Sequence, residues 1–115
     1  MIEKIERSIM LLGKPVHTSL CITDWGIEVL IAGGDRPHIG AVTVIDDRAH
    51  LNTQVFEGHK DDFISEEWAK ILHRHNQVPV VISVGIHYDE IDAENIQMIV
   101  SEMHKQLDEI ILHII

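Results

Sequence analysis

Apolar and polar residues alternate along the first half of the chain, which is typical of strands that bury one face. In residues 16–23, Val16, Leu20 and Ile22 share one side while His17, Ser19 and Cys21 share the other. Residues 27–32 repeat the pattern, residues 39–45 are rich in β-branched residues, and a weaker extended stretch covers residues 48–55. These segments predict an antiparallel meander, with a turn at Asp24-Trp25-Gly26. The first dozen residues fit no single pattern.

The second half predicts a helix, a strand and a second helix. Ser65 is a favoured N-cap, and acidic residues follow it, so we expect a helix from there to about Asn76. Residues 80–86 are almost continuously apolar, which predicts a central strand covered on both faces. Asp92 is placed to cap a long last helix, with Ile91 and Ile96 spaced as a hydrophobic staple. The expected fold is α/β (α+β): an antiparallel meander followed by helix-strand-helix in one domain, residues 1–115.

Charge and cysteine content narrow the possible partners. Nine Lys plus Arg against nineteen Asp plus Glu give a formal charge of -10, which disfavours nucleic acid and anionic membrane surfaces. Cys21 is the only cysteine, so an internal disulfide is excluded and a reducing compartment is favoured. No apolar run approaches the roughly 20 residues of a membrane-spanning helix. We expect a cytoplasmic protein.

The loop between the second and third predicted strands concentrates the candidate chemistry. It comprises Gly33, Gly34, Asp35, Arg36, Pro37, His38, Ile39 and Gly40. Glycine, aspartate and proline are also common in hairpin turns that bind no ligand. However, an arginine can bind phosphate or carboxylate through two hydrogen bonds, and a histidine can exchange a proton near neutral pH. A hairpin requires neither residue, so a ligand site at this loop competes with the purely structural interpretation.

Two further tracts place polar groups at the ends of predicted elements. One contains His59 and Lys60 before the first helix, and the other contains His87 and Tyr88 after the central strand. His38, His59 and His87 with Asp35 are chemically acceptable metal ligands, although the nine histidines show no convincing chelating spacing. The sequence contains no nucleophile elbow, Walker loop or dinucleotide fingerprint. A binding role is therefore favoured over catalysis.

The tract Gly33-Gly34-Asp35-Arg36-Pro37-His38-Ile39-Gly40-Ala41-Val42 resembles the signature of a small family of prenylated-flavin chaperones. These are the LpdD-like D subunits that accompany UbiD-type gallate and hydroxyarylic acid decarboxylases. The preceding strand, the Gly58-His59-Lys60 tract and the segment Val84 to Asp89 occur in the same order as in that family. The resemblance covers roughly residues 15–92.

The resemblance implies a sheet covered by helices, as in proteasome-assembly-chaperone domains, and a homodimer. It implies a non-catalytic accessory protein of aromatic acid metabolism that binds, matures or delivers prenylated FMN. The implied partners are a UbiD-type decarboxylase subunit and a flavin prenyltransferase. The implied cofactor-binding residues are Gly33, Gly34, Asp35, Arg36, Pro37, His38, Ile39, Gly40, His59, Lys60, His87 and Tyr88. A protein-assembly module without a small ligand and a small metal-dependent enzyme using His38, His59 and His87 remain the alternatives.

Overall fold

A computed structural model describes residues 1–56 and 60–114 of the chain. Six strands and two helices lie in these residues. In chain order they are β1 Glu3–Leu11, β2 Lys14–Thr23, β3 Gly26–Gly34, β4 Ala41–Ile45, β5 Leu51–Val55, α1 Asp61–Asn76, β6 Val80–His87 and α2 Ala93–Ile114. Neither of these helices is long and apolar enough to cross a membrane.

The strands form one mixed sheet in the order β1-β2-β3-β6-β4-β5. β1, β2 and β3 are an antiparallel meander. The alternation predicts β2 and β3, whereas β1 lies within the first dozen residues, which fit no single pattern. β4 and β5 form an antiparallel hairpin, but they are separated from β3 by β6. β6 runs parallel to β3 and antiparallel to β4. The prediction of one continuous meander is therefore wrong between β3 and β4, because β6 provides backbone partners for both strands.

The core lies between one face of the sheet and the two helices. Its fully buried side chains include Ile31 of β3, Ile82 of β6, Trp68 of α1 and Leu107 of α2. Buried polar side chains are paired across these layers: the Thr18 hydroxyl donates to the Gln106 side-chain oxygen, and the Thr43 hydroxyl bonds Ser65 at 2.7 Å. The expectation of a single sheet with helical cover is confirmed.

Two details of the second half differ from the expectation. α1 begins at Asp61 and not after Ser65, because Ser65 is fully buried and uses its hydroxyl to bond Thr43 and the Asp62 carbonyl. The apolar run of β6 is covered on one face, and on the other face Val81 stays 37% exposed. Helix α2 starts as expected, since the Asp92 carboxylate accepts the Asn95 backbone N–H at 2.8 Å.

Candidate functional site

The loop that follows β3 crosses the carboxyl end of β6 and is hydrogen-bonded to it. The backbone N–H groups of Asp35 and Arg36 both donate to the His87 carbonyl, at 2.7 and 3.3 Å. The N–H of His38 donates to the Gly85 carbonyl at 3.4 Å, and that of Gly40 donates to Val84 at 2.9 Å. The loop is a connection between non-adjacent strands, so the hairpin interpretation is wrong.

Glycines are required where backbones approach each other closely. A side chain on Gly33 would collide with the backbone of Pro15 and Val16 on β2. Gly34 has a φ of +84°, and a side chain there would strike the His87 carbonyl. A side chain on Gly85 would strike the His38 carbonyl. Because Gly85 has no Cβ, the loop can pass directly over this part of β6. These glycines are explained by strand and loop packing.

Asp89 connects the loop to the segment after β6. Its backbone N–H donates to the Asp35 carboxylate at 2.9 Å. Its own carboxylate accepts from His87 Nε2 at 3.1 Å and from Arg36 Nε at 3.3 Å. The hydrogen bond from His87, followed by that from Arg36, holds the pKa of Asp89 below its usual value. Arg36 is therefore anchored at the site while most of its guanidinium stays exposed.

His38 and Asp61 form the most buried ionisable pair of the site. His38 Nδ1 lies 2.9 Å from the Arg36 carbonyl, and since a carbonyl only accepts, that nitrogen carries the hydrogen. Its Nε2 faces Asp61 Oδ2 at 3.4 Å, while Asp61 Oδ1 accepts the Ile86 backbone N–H at 3.1 Å. The Asp61 side chain is only 4% exposed. The His38 ring also meets the His87 ring edge-on, with 6.2 Å between the centroids.

A pocket of about 350 Å³ opens beside this pair, between the first turn of α1, the end of β6 and the first turns of α2. We call it the interhelical pocket. Its aliphatic lining is Ile64, Ile86, Ile91, Ile96, Ile99 and Val100. Its polar lining is Lys60, Asp61, His87, Tyr88 and Glu90. A lining with many apolar side chains and a few polar ones, at this size, is that of a small-molecule site.

The structure brings together part of the residue set expected from the sequence. Lys60, His87 and Tyr88 line the interhelical pocket, and His38 adjoins it through Asp61. Tyr88 also has a structural role: its hydroxyl donates to the Leu11 carbonyl at 2.6 Å, and burial followed by the Asp35 charge raises its pKa. Pro37 and Ile39 are exposed on the loop and do not line the pocket. His59 lies outside the described residues.

The metal hypothesis gains no support from the part of the chain that the structure describes. Within residues 1–56 and 60–114, no three His, Cys, Asp or Glu side chains converge as a metal site. His38 and His87 meet only in the edge-on ring contact.

Sequence reasoning missed most of the pocket lining. Asp61 and Glu90 were not among the candidate site residues, and of the isoleucines only Ile91 and Ile96 had been singled out, as a hydrophobic staple. The one available signal was the pair Ile91 and Ile96, whose staple spacing indicated that apolar side chains gather where α2 begins. That these residues face Ile64 of α1 depends on how the helices pack on the sheet, which the sequence pattern does not specify.

Comparison with solved structures identifies a similar fold. The solved chaperone complex for yeast 20S proteasome assembly contains a chain that matches this fold with a TM-score of 0.60 and 13% identity. That match covers 95% of this chain and 94% of the other. Because the sequence identity is low, the match shows a similar fold and nothing more. The expected likeness to proteasome-assembly chaperones is confirmed.

The sequence comparisons are more specific. Protein LpdD of Lactiplantibacillus plantarum is 32% identical in an alignment of 89 residues that covers 73% of this chain. The chain spans 65% of the length of that relative. The model of the prenylated flavin chaperone LpdD-like domain matches residues 13–115. These include every residue of the interhelical pocket and the loop from Gly33 to Gly40, which we call the cross-strand loop. The chain therefore belongs to the prenylated flavin chaperone LpdD-like family.

Proposed function

We propose that this protein binds prenylated FMN at the interhelical pocket and the adjoining loop, and passes it to a UbiD-type (hydroxy)aryl acid decarboxylase. The observation that carries the proposal is the pocket itself, which lies beside the family's signature loop and inside the matched region. Membership of a flavin chaperone family supports an accessory role toward a client enzyme. A flavin prenyltransferase is the proposed source of the cofactor.

The residues present fit the requirements of a flavin. An isoalloxazine ring needs an apolar slot with a few placed polar groups, and the interhelical pocket offers both. A phosphate needs donors, and Lys60 at the pocket and the exposed Arg36 guanidinium are the nearby cations that we assign to it. When bound, the cofactor would supply the ring chemistry used in the decarboxylase. His38, held between the Arg36 carbonyl and Asp61, would be one of the placed polar groups beside the flavin ring.

The test is a titration followed by a transfer assay. Purified protein is titrated anaerobically with FMN and with prenylated FMN, while flavin absorbance and fluorescence are recorded. It is then mixed with a cofactor-free UbiD-type decarboxylase, whose activity is measured with and without the chaperone. Saturable spectral changes and faster activation support the proposal. Unchanged spectra with both flavins would reject it and leave an assembly module as the better interpretation.

We also propose that the protein is a cytoplasmic homodimer. The apolar residues Met98 and Ile114 of α2 pack against the protein's own core, so they do not form the dimer surface. The better surface is the helix-free face of the central strands, where Leu30, Val44 and Val81 are 42%, 36% and 37% exposed. Val44 and Val81 are directly opposite each other across β4 and β6. Sedimentation at micromolar concentration that shows a 13.1 kDa species alone would reject the dimer.

A further inference from the structure

The two edges of the sheet differ in how they are protected against a further strand. β1 and β5 are the end strands, and among the described residues each pairs with one neighbouring strand. β1 carries four charged side chains: Glu3, Lys4, Glu6 and Arg7. Their removal from water would oppose the addition of another strand there. β5, Leu51–Val55, contains no charged residue, proline or glycine, so its edge lacks these protective features.

The backbone of β5 presents hydrogen-bonding groups along this edge at alternate residues. The His50 carbonyl accepts the Asp46 N–H at 3.0 Å, on the side of β4. The Phe56 N–H donates to the Gly40 carbonyl at 2.7 Å, on the same side. In an antiparallel pair with this register, the even-numbered residues of β5 therefore face β4, and the odd-numbered ones point their N–H and C=O groups away from it. The outward residues are Leu51, Thr53 and Val55.

The end of β5 is apolar and adjoins the cross-strand loop. Val55 and Phe56 are 51% and 62% exposed. The hydrogen bond from Phe56 to Gly40 joins this end to the loop, whose other backbone bonds run to β6 beside the interhelical pocket. Neither Val55 nor Phe56 lines the pocket. A strand added along β5 would therefore lie next to the loop while contacting residues other than those that line the pocket.

We propose, on the basis of the function proposed above, that the decarboxylase docks at the edge of β5 by adding one of its extended segments to the sheet. A row of backbone donors and acceptors is complementary to an extended chain, which pairs with both kinds of group at once. The segment has uncharged side chains that meet Val55 and Phe56, and Lys or Arg residues flank it, because this chain has a formal charge of -10. The proposed dimer uses the helix-free face of the central strands, so the edge of β5 stays available in each protomer.

Val55 is the position at which this docking is tested. Val55→Pro removes one outward N–H and leaves the hydrogen bonds to β4 in place, and proline is tolerated on an edge strand in this orientation. Val55→Thr is the matched control, because threonine keeps both the N–H and the branched Cβ. Thermal melts verify that both variants are folded. Both should bind flavin like the parent, since Val55 does not line the interhelical pocket.

The first measurement is the dissociation constant for a cofactor-free UbiD-type decarboxylase, obtained by biolayer interferometry. Val55→Pro leaves a carbonyl of the added strand without its donor and places a ring in its path. We therefore expect binding to weaken by at least about tenfold. Val55→Thr should stay within about threefold of the parent. Equal binding by Val55→Pro and the parent would overturn the proposal while the proposed function stands.

The second measurement is amide hydrogen exchange in the unmodified chain, which does not depend on any variant. Binding of the decarboxylase should slow exchange at Leu51, Thr53 and Val55 and leave the amides of β1 unchanged. Unchanged exchange in β5 with the decarboxylase bound would also overturn the proposal. So would sedimentation that shows a dimer of the parent alone and a monomer of Val55→Pro, because a second copy would then occupy the edge.

Failure of the proposed function gives a different pattern. If the decarboxylase binds no form of the protein although flavin binds, the docking proposal and the transfer of the cofactor are both rejected. If the decarboxylase binds the parent through β5 but neither flavin changes its spectrum, the docking proposal stands and cofactor binding is rejected.

Discussion

The cross-strand loop and the interhelical pocket lie side by side but are built in opposite ways. The loop is held by backbone hydrogen bonds to β6 and by glycines that permit close approach. The pocket is defined by side chains from segments more than thirty residues apart, such as Ile64 and Ile96. A motif that is easy to recognise can therefore be chiefly architecture, while the space for a ligand carries no motif. The predictions below test whether the two regions are separable in this way.

The largest effect should come from the backbone contact beneath the loop. Gly85→Ala places a methyl group against the His38 carbonyl, which must move or displace β6. We expect a loss of about 3 kcal/mol in the free energy of unfolding, the upper range for overpacking. Gly26→Ala is the control, because a side chain there meets only ordinary contacts. Urea denaturation measures both, and equal stabilities would show that the loop is free to shift.

The next effect concerns ligand affinity. Arg36→Ala removes a mostly exposed guanidinium that contacts Asp89, so folding should survive. A charge-assisted hydrogen bond contributes about 1.5–3 kcal/mol, and we expect flavin affinity to fall by about ten- to a hundredfold. The loss should be similar for FMN and prenylated FMN, because both carry the phosphate. Arg74→Ala, an exposed change in the last turn of α1, should leave affinity unchanged. Parent-like binding by Arg36→Ala would place the phosphate elsewhere.

His38→Asn separates function from architecture at one residue. An amide can replace the single hydrogen bond to the Arg36 carbonyl, but it does not place an imidazole nitrogen beside Asp61. We expect a melting temperature within a few degrees of the parent, corresponding to about 1 kcal/mol or less. We also expect the variant to fail in activating the proposed decarboxylase partner. Normal activation with a sharply lowered melting temperature would assign His38 to the loop's architecture.

The smallest effect is a pH dependence in the contact between the helices. His104 of α2 bonds Glu67 of α1 at 3.1 Å, and this bond, with the charges of Glu67 and Asp108, raises the pKa of His104 above its usual 6.5. A raised folded-state pKa stabilises the protein fully below the unfolded value, and this stabilisation is lost as pH rises through the folded value. Since the pair is half-exposed, we expect only about 0.5 kcal/mol or less.

Urea midpoints at pH 5.5 and 8.5 measure this contribution. The parent should lose slightly more stability on going to pH 8.5 than Glu67→Gln, in which His104 has lost its main partner. Flavin affinity should not differ in the same way between the two pH values, because His104 and Glu67 do not line the interhelical pocket. An identical pH response in parent and variant would show that the helix contact contributes nothing measurable.

The sequence alone indicated most of the elements and the family, but not β1, which lies in the stretch that fits no single pattern. Alternation with period two placed β2 and β3, because residues on one side of a strand share one environment. The cap at Asp92 placed α2, and the loop from Gly33 to Gly40 carried the family resemblance that the match over residues 13–115 confirmed. These are local signals, set by neighbours along the chain.

Only the tertiary structure determined which strands and which side chains are neighbours. Whether β3 pairs with β4 or with β6 depends on long-range backbone pairing, and the insertion of β6 turned an apparent hairpin into a crossover. The same packing buries Ser65 of α1 in the core. It also brings the Tyr88 hydroxyl into a hydrogen bond with the Leu11 carbonyl and places Asp61 next to His38. Ile64 and Ile96 read as ordinary core positions in sequence, and they line one pocket because two helices pack on the same face of one sheet.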